Sequence, residues 1–309
     1  MTTARCFAVA LLLVAAAMGQ PSTPPANSPS SSSQASGQSS SQQIPPPQAN
    51  ITNPKGKRPP SAKTKPEYDQ YLAAVNTADP AQAETLAREF EVQYPKSELL
   101  PFVYQQVMGK YQKADNGDKT LDMGRKVLQY DPDNVGALVM VATVLAERTR
   151  QTDIDRDQRL KEATGDAQHA LDDLRDGNYM LAANATPEQV QQFKDQVAGM
   201  AYQALGKSEM ERENYTAAEQ DLRKATETSA GKGDAIVWYR LGLALDRQNR
   251  YTDANAAITT AVALAPADSA VANMAKNEQS RLKQLLAEGA SAPPPPTSNQ
   301  PQPEVTPSK

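Results

Sequence analysis

One histidine, one cysteine and one tryptophan are all that 309 residues contain. A single cysteine excludes an internal disulfide. One histidine with one cysteine excludes a His/Cys metal centre and any cluster of catalytic histidines, so neither a metal nor a cofactor is expected. Apolar residues are also scarce: 39% of the chain, against about 45–50% for an ordinary globular protein. The shortage is uneven. Ten of the 24 prolines lie between Pro21 and Pro60 and seven between Pro293 and Pro307, leaving seven for the middle. The ends therefore read as unfolded and the middle as helical. Long apolar runs are missing too. Phe7–Met18 is 12 residues, short of the ~20 that a membrane-spanning helix needs.

That run does fit a secretory signal, residues 1–19. Arg5 gives the basic start, and small Ala17 and Gly19 precede a break at Gln20. Cys6 lies ahead of the apolar run, whereas a lipid-bearing cysteine follows one, so no lipid anchor is expected. The product is expected in the periplasm or outside the cell, with no stable membrane span after cleavage. Residues 20–65 are Ser, Pro, Gln and Asn with few large apolar side chains, a composition that cannot offset the entropy of folding. Residues 289–309 repeat it. Both read as disordered tails. Charge also separates: the first 65 residues carry six cations and no anion, so an acidic middle follows a basic linker. The cluster Lys55–Lys65 could touch anionic envelope material, although a solvated linker explains it as well. The acidic body, the short cluster and the lack of interleaved aromatics argue against nucleic acid.

The middle prolines stand at Pro66, Pro80, Pro95, Pro101, Pro132, Pro187 and Pro266. Proline suits the first turn of a helix or the residues past its end. Between them run Ala, Leu, Gln, Glu, Lys and Arg, all good helix formers, and no stretch alternates like a strand. Asp79-Pro80 predicts an N-cap and first helical residue, and Thr186-Pro187-Glu188-Gln189 a capping box. Asp131–Asn134 and Ala265–Asp268 each end one helix and open the next.

Residues recur at a shift of 36: Tyr202/Trp238, Leu205/Leu241, Gly206/Gly242, Tyr215/Tyr251, Ala218/Ala254, Leu222/Ile258 and Ala225/Ala261. Small residues in such a pattern let two helices cross closely, and large ones fill the gap between hairpins. Trp238, Leu241, Gly242, Leu245, Ala254, Ile258, Ala261 and Pro266 resemble one tetratricopeptide repeat. The Tyr202 unit is similar, with two extra residues near Gly231. Upstream, Val107, Tyr111, Val127 and Pro132 suit a degenerate repeat with Met108 where glycine is usual. Leu138, Val141, Ala142, Leu145, Ala163, Ala167 and Ala170 suit another, and Ala83, Ala87, Phe90 and Pro95 the second helix of a first. The resemblance implies an all-α, tetratricopeptide-like solenoid over 66–288, of about five hairpins plus a capping helix. Its best repeats are 199–232 and 235–268. In the capping segment Asp268–Glu288, Leu282, Leu285 and Leu286 would cover the last repeat, while Lys276, Glu278, Arg281, Lys283 and Glu288 face water.

Chemical motifs are weak. His169, among helix-packing alanines, reads as a surface or packing residue. Asp153, Asp155 and Asp157 alternate as Ca²⁺ ligands can, but Gln158 and Thr164 replace the glycine and closing glutamate of such a loop, and Arg156 and Arg159 compete for the carboxylates. A solvated acidic loop is expected. Gly231-Lys232-Gly233 lacks the spacing of a phosphate loop. Three glycosylation triplets begin at Asn50, Asn184 and Asn214.

The resemblance implies instead a non-catalytic scaffold for protein–protein interaction, with the first helices of successive repeats lining a groove for a protein or peptide. Gln105, Gln112, Lys113, Gln203, Lys207, Tyr239, Asp246 and Arg247 are the candidate groove contacts. Their pattern does not match the carboxylate clamp of chaperone-binding relatives. An envelope-associated structural or assembly factor held by the basic linker is the alternative.

Overall fold

A computed structural model describes residues 51–52, 60–182 and 185–289. The expected signal, most of the basic linker (its residues 51–52 and 60–65 excepted) and all but Gly289 of the proline-rich tail lie outside these residues. So do Asn50 and Asn184, which open two of the triplets. The chain divides into two compact units, one up to Ala201 and one from Tyr202.

The first unit contains three helical hairpins. They are α1 (Lys65–Asn76) with α2 (Pro80–Gln93), α3 (Leu100–Lys113) with α4 (Gly117–Tyr130), and α5 (Val135–Arg148) with α6 (Arg156–Asp176). α2 also packs on α3, and α4 on α5. The starts follow the sequence signals. Asp79 accepts from the Gln82 amide at 2.7 Å with Pro80 first in α2. Asn134 accepts from the Ala137 amide at 3.0 Å, so the joint after Tyr130 ends α4 and caps α5.

A short ladder of strands was not expected. Ile51–Thr52 (β1) pairs antiparallel with Leu181–Ala182 (β2), Ile51 opposite Ala182 and Thr52 opposite Leu181. A two-residue ladder is too short to leave an alternating pattern, and its partners are far apart in the chain.

α7 (Pro187–Glu211) begins with the reciprocal capping box: Gln189 N–H donates to Thr186 Oγ1 at 3.3 Å and Thr186 N–H to Gln189 Oε1 at 2.9 Å. The unit boundary falls within this helix. The second unit comprises the end of α7, then α8 (Tyr215–Glu227), α9 (Ser229–Lys232), α10 (Ala235–Asp246), α11 (Tyr251–Leu264) and α12 (Ala270–Ala287). A Cβ on Gly206 would stand 2.6 Å from Leu222 Cγ, and one on Gly242 would stand 2.5 Å from Ile258 Cδ1. These glycines are where the paired helices cross. The two extra residues near Gly231 become α9. A Cβ there would meet the Ala225 carbonyl oxygen at 2.0 Å, so the turn needs glycine. Ala218, Leu222, Ala225, Leu241, Leu245, Ala254, Ile258, Ala261 and Leu282 are buried together, with Tyr202, Trp238 and Tyr239 packed against them.

The expected all-α class of helical hairpins is what the structure shows. The capping helix is shorter than expected, starting at Ala270 behind the Ser269 cap. Leu282 is buried and Leu285 and Leu286 half-buried. No helix among the described residues is long and apolar enough to cross a membrane.

Candidate functional site

The turn between α10 and α11 builds the most developed surface site of the second unit. α10 ends in a left-handed residue, Asn249 (φ 58°). Asn249 N–H donates to Asp246 O at 2.8 Å and Arg250 N–H to Leu245 O at 3.1 Å. This double closure is a Schellman ending. It stops the helix with Asp246 and Arg247 on its last turn. α12 lies across the same end of α10. Between them is an open pocket of about 430 Å³ lined by Leu243, Asp246, Arg247, Asn249, Tyr251, Glu278 and Arg281.

Its charges are arranged unequally. Arg281 Nη2 lies 2.6 Å from both Asp246 Oδ1 and Glu278 Oε1. The bonds to Glu278 and Asp246 push its pKa up further, so its guanidinium stays charged. Tyr251 donates its hydroxyl to Asn249 Oδ1 at 2.8 Å. Arg247, at the rim, is exposed, and its side chain has no hydrogen-bond or ion-pair partner among the described residues. A guanidinium offers five N–H donors in a fixed fork and no acceptor. The pocket therefore presents spare donor capacity beside two carboxylates that are already paired.

The other groove candidates fall as follows. Gln105, Gln112 and Lys113 lie on α3 in the first unit; Gln203 and Lys207 lie on α7 and Tyr239 on α10 in the second. Lys207 is bound to Glu211 one turn on. Tyr239 is half-buried against the core, and burial, with the nearby Glu278 charge, pushes its hydroxyl pKa up. Of the eight residues, Asp246 and Arg247 line the pocket. Glu278, Arg281, Asn249 and Tyr251 were not foreseen as site residues. Glu278 and Arg281 were expected simply to face water; Arg281, still exposed, reaches Asp246 on α10 and is also held by Glu278 on its own helix. Their three-residue spacing on α12 was the available signal.

Two carboxylates of the first unit are tied into clusters of their own. Glu84 on α2 receives Tyr111 Oη at 2.6 Å, Arg88 Nη2 at 2.7 Å and Lys119 Nζ at 3.0 Å. Burial pushes its pKa up, but these bonds outweigh that and hold it down at about 2. Glu91, seven residues on, takes the hydroxyls of Tyr104 and Tyr130 and, at 2.9 Å, Lys126 Nζ. Burial opposes its ionisation, and the same kinds of bond lower its pKa overall. Tyr104 and Tyr111 are seven apart, as are Lys119 and Lys126, so the two clusters form rungs of one ladder tying α2, α3 and α4. Carboxylates held ionised by three or four donors are fasteners and not proton donors.

The acidic loop is likewise engaged. Asp153 accepts from the Arg150 amide at 2.9 Å, Asp155 pairs with Arg159 at 2.9 Å and Asp157 with Arg156 at 3.1 Å. The Asn214 amide group donates to Glu209 at 3.0 Å. His169 departs from expectation: it faces two carboxylates, Asp133 and Asp173, rather than merely packing.

Among known proteins, residues 235–268 match the tetratricopeptide-repeat family. The protein carries a tetratricopeptide repeat. It is the α10–α11 hairpin, the one whose end forms the pocket. Solved structures to which the chain is similar include one described as the functional characterization of Pseudomonas aeruginosa pilF. It is 14% identical over 72% of this chain and 94% of that one, with a TM-score of 0.46. BtubC from P. vanneervenii is 16% identical over 80% of this chain and 100% of its own, TM-score 0.41. A thermophilic tetratricopeptide-repeat protein of Thermus thermophilus is 17% identical over 72% of this chain and 99% of its own, TM-score 0.36. None of these likenesses bears on function. No curated protein matches the sequence.

Proposed function

We propose that this tetratricopeptide-repeat protein is a non-catalytic scaffold, exported to the cell envelope, that holds a protein or peptide at the α10–α12 pocket. The observation that carries the reading is the unpartnered Arg247 guanidinium at the rim of a pocket whose other charges are ion-paired with one another. A partner segment supplying acceptor oxygens, from main-chain carbonyls or a carboxylate, would engage Arg247, and its apolar groups would rest on Leu243 and the Tyr251 ring. The Asp246–Arg281–Glu278 triad keeps the pocket walls fixed, which limits the ordering cost of binding. Export rests on the pattern of residues 1–19 alone.

The test is photo-crosslinking in the native host, with the reactive group placed at Tyr251, which lines the pocket, in the full chain. A single defined adduct that disappears on Arg247→Glu, with the far-ultraviolet spectrum unchanged, supports the reading. An adduct indifferent to Arg247→Glu removes this pocket from it. Export is checked separately: the mature protein should begin at or next to Gln20 and be released with the periplasmic or extracellular fraction.

A further inference from the structure

The chain's one histidine stands in a constellation that the scaffold reading does not use. His169 is on α6 and Asp173 follows one helical turn later, so both side chains leave the same face. Asp133 comes from the joint between α4 and α5. His169 Nε2 lies 3.2 Å from Asp133 Oδ1 and 3.3 Å from Asp173 Oδ2. Ligand atoms of all three residues lie within 4.8 Å of one another.

Asp173 is the telling member. It is 7% exposed. One oxygen, Oδ1, accepts from Asn178 Nδ2 at 2.8 Å, while Oδ2 has no hydrogen-bond partner among the described residues. A buried carboxylate oxygen left without a donor is costly. One imidazole N–H, shared between two oxygens beyond 3 Å, is a weak remedy, since a good hydrogen bond to a carboxylate closes to about 2.7–2.9 Å. A metal ion accounts for the spacing directly. Two donor atoms about 2.0–2.2 Å from Zn²⁺ at a tetrahedral angle stand about 3.4 Å apart, close to both separations seen here.

We propose that His169 Nε2, Asp133 Oδ1 and Asp173 Oδ2 bind one divalent ion of the Zn²⁺ type, with water completing the shell. An imidazole with two carboxylates suits Zn²⁺ and its late first-row neighbours, whereas Ca²⁺ and Mg²⁺ take oxygen sets. Asn178 holds the second oxygen of Asp173 and so fixes how that carboxylate is presented. The ion fastens α6 to the α4–α5 joint, reinforcing the first unit without any part in the pocket of the second.

The experiment uses the full, untagged, metal-stripped chain and Zn²⁺ chloride. With one histidine, the ring gives a single set of imidazole resonances. One equivalent of Zn²⁺ shifts that set, and at a hundredfold excess over Kd the Tm rises by about 5–10 °C. Millimolar Mg²⁺ does neither. His169→Gln and Asp173→Asn each weaken Zn²⁺ binding at least about tenfold. If Asp173→Asn does not fold, Asp133→Asn, at a half-exposed position, takes its place. Unmoved imidazole resonances overturn the proposal, as does a Tm rise that survives in the variants.

Discussion

Met108 on α3 faces Gly124 on α4, where a Cβ would stand 3.4 Å from Met108 Sδ and 2.6 Å from Val141 Cγ2 of α5; this reverses the second unit, where Gly206 faces Leu222 and Gly242 faces Ile258. In these three hairpins one large and one absent side chain meet at the crossing, but α3–α4 has exchanged which helix carries which. The gap between helices is fixed, so the pair must sum to one filling volume. Met108, a departure from the repeat pattern in one dimension, is thus compensated across the interface.

That exchange predicts coupling. A Cβ on Gly242 would lie 2.5 Å from Ile258 Cγ1 and Cδ1. Gly242→Ala should destabilise the second unit by about 1–3 kcal/mol. Combined with Ile258→Ala, which removes the obstacle, the total loss should fall short of the sum by about 1 kcal/mol. Urea titration of the four-member cycle measures this; strict additivity would contradict the crossing geometry.

Glu84 makes stability depend on pH in the acid range. Its folded pKa of about 2 lies below the ordinary value of about 4.3. A depressed carboxylate contributes stability that is complete above the unfolded pKa and is lost as pH falls through the folded one. The window is therefore about pH 4.5 to 2, and the contribution is of order 2–3 kcal/mol. Glu84→Gln should be less stable at neutral pH and show a shallower acid transition, read by circular dichroism against pH.

Glu213 occupies the left-handed position of the α7–α8 turn at φ 60°. Its N–H closes on Met210 O, and that of Asn214 on Glu209 O, as at Asn249. A side chain there meets a steric penalty that glycine avoids. Glu213 is exposed, so little packing is lost with its side chain. Glu213→Gly should raise stability by about 0.5–1 kcal/mol, seen as a higher Tm, while Glu213→Val should lower it.

Arg281 joins α12 to α10. Its removal in Arg281→Ala leaves Asp246 and Glu278, with side chains 12% and 15% exposed, without their cation. The expected cost is about 1–3 kcal/mol. Glu278→Gln should cost less, since Asp246 keeps its partner. Hydrogen exchange should show the loss concentrated in α12.

Much of the fold was legible because its signals are local. Asp79-Pro80, the box from Thr186 to Gln189 and the joint at Asp131–Asn134 act within one helical turn, and each caps the helix its residues announce. The glycine, alanine and leucine repeat at a shift of 36 was legible for the same reason: a recurring hairpin repeats its own packing needs. The pocket was half legible. Asp246 and Arg247 follow from their place at the end of a first helix, but Arg281 and Glu278 do not, because nothing in α12 states that it will lie against α10. The β1–β2 pairing was hidden too, being made of two residues on each side.

The sequence by itself determined an acidic helical-repeat body between basic and proline-rich ends, with one hairpin of tetratricopeptide type, since composition and periodicity act through neighbours along the chain. The tertiary structure decided which charges meet. Glu84 with Tyr111 and Lys119, Arg281 with Asp246, and His169 with Asp133 and Asp173 are each brought together by packing between helices. The strength of such contacts depends on separation and burial, and these exist once the helices have docked.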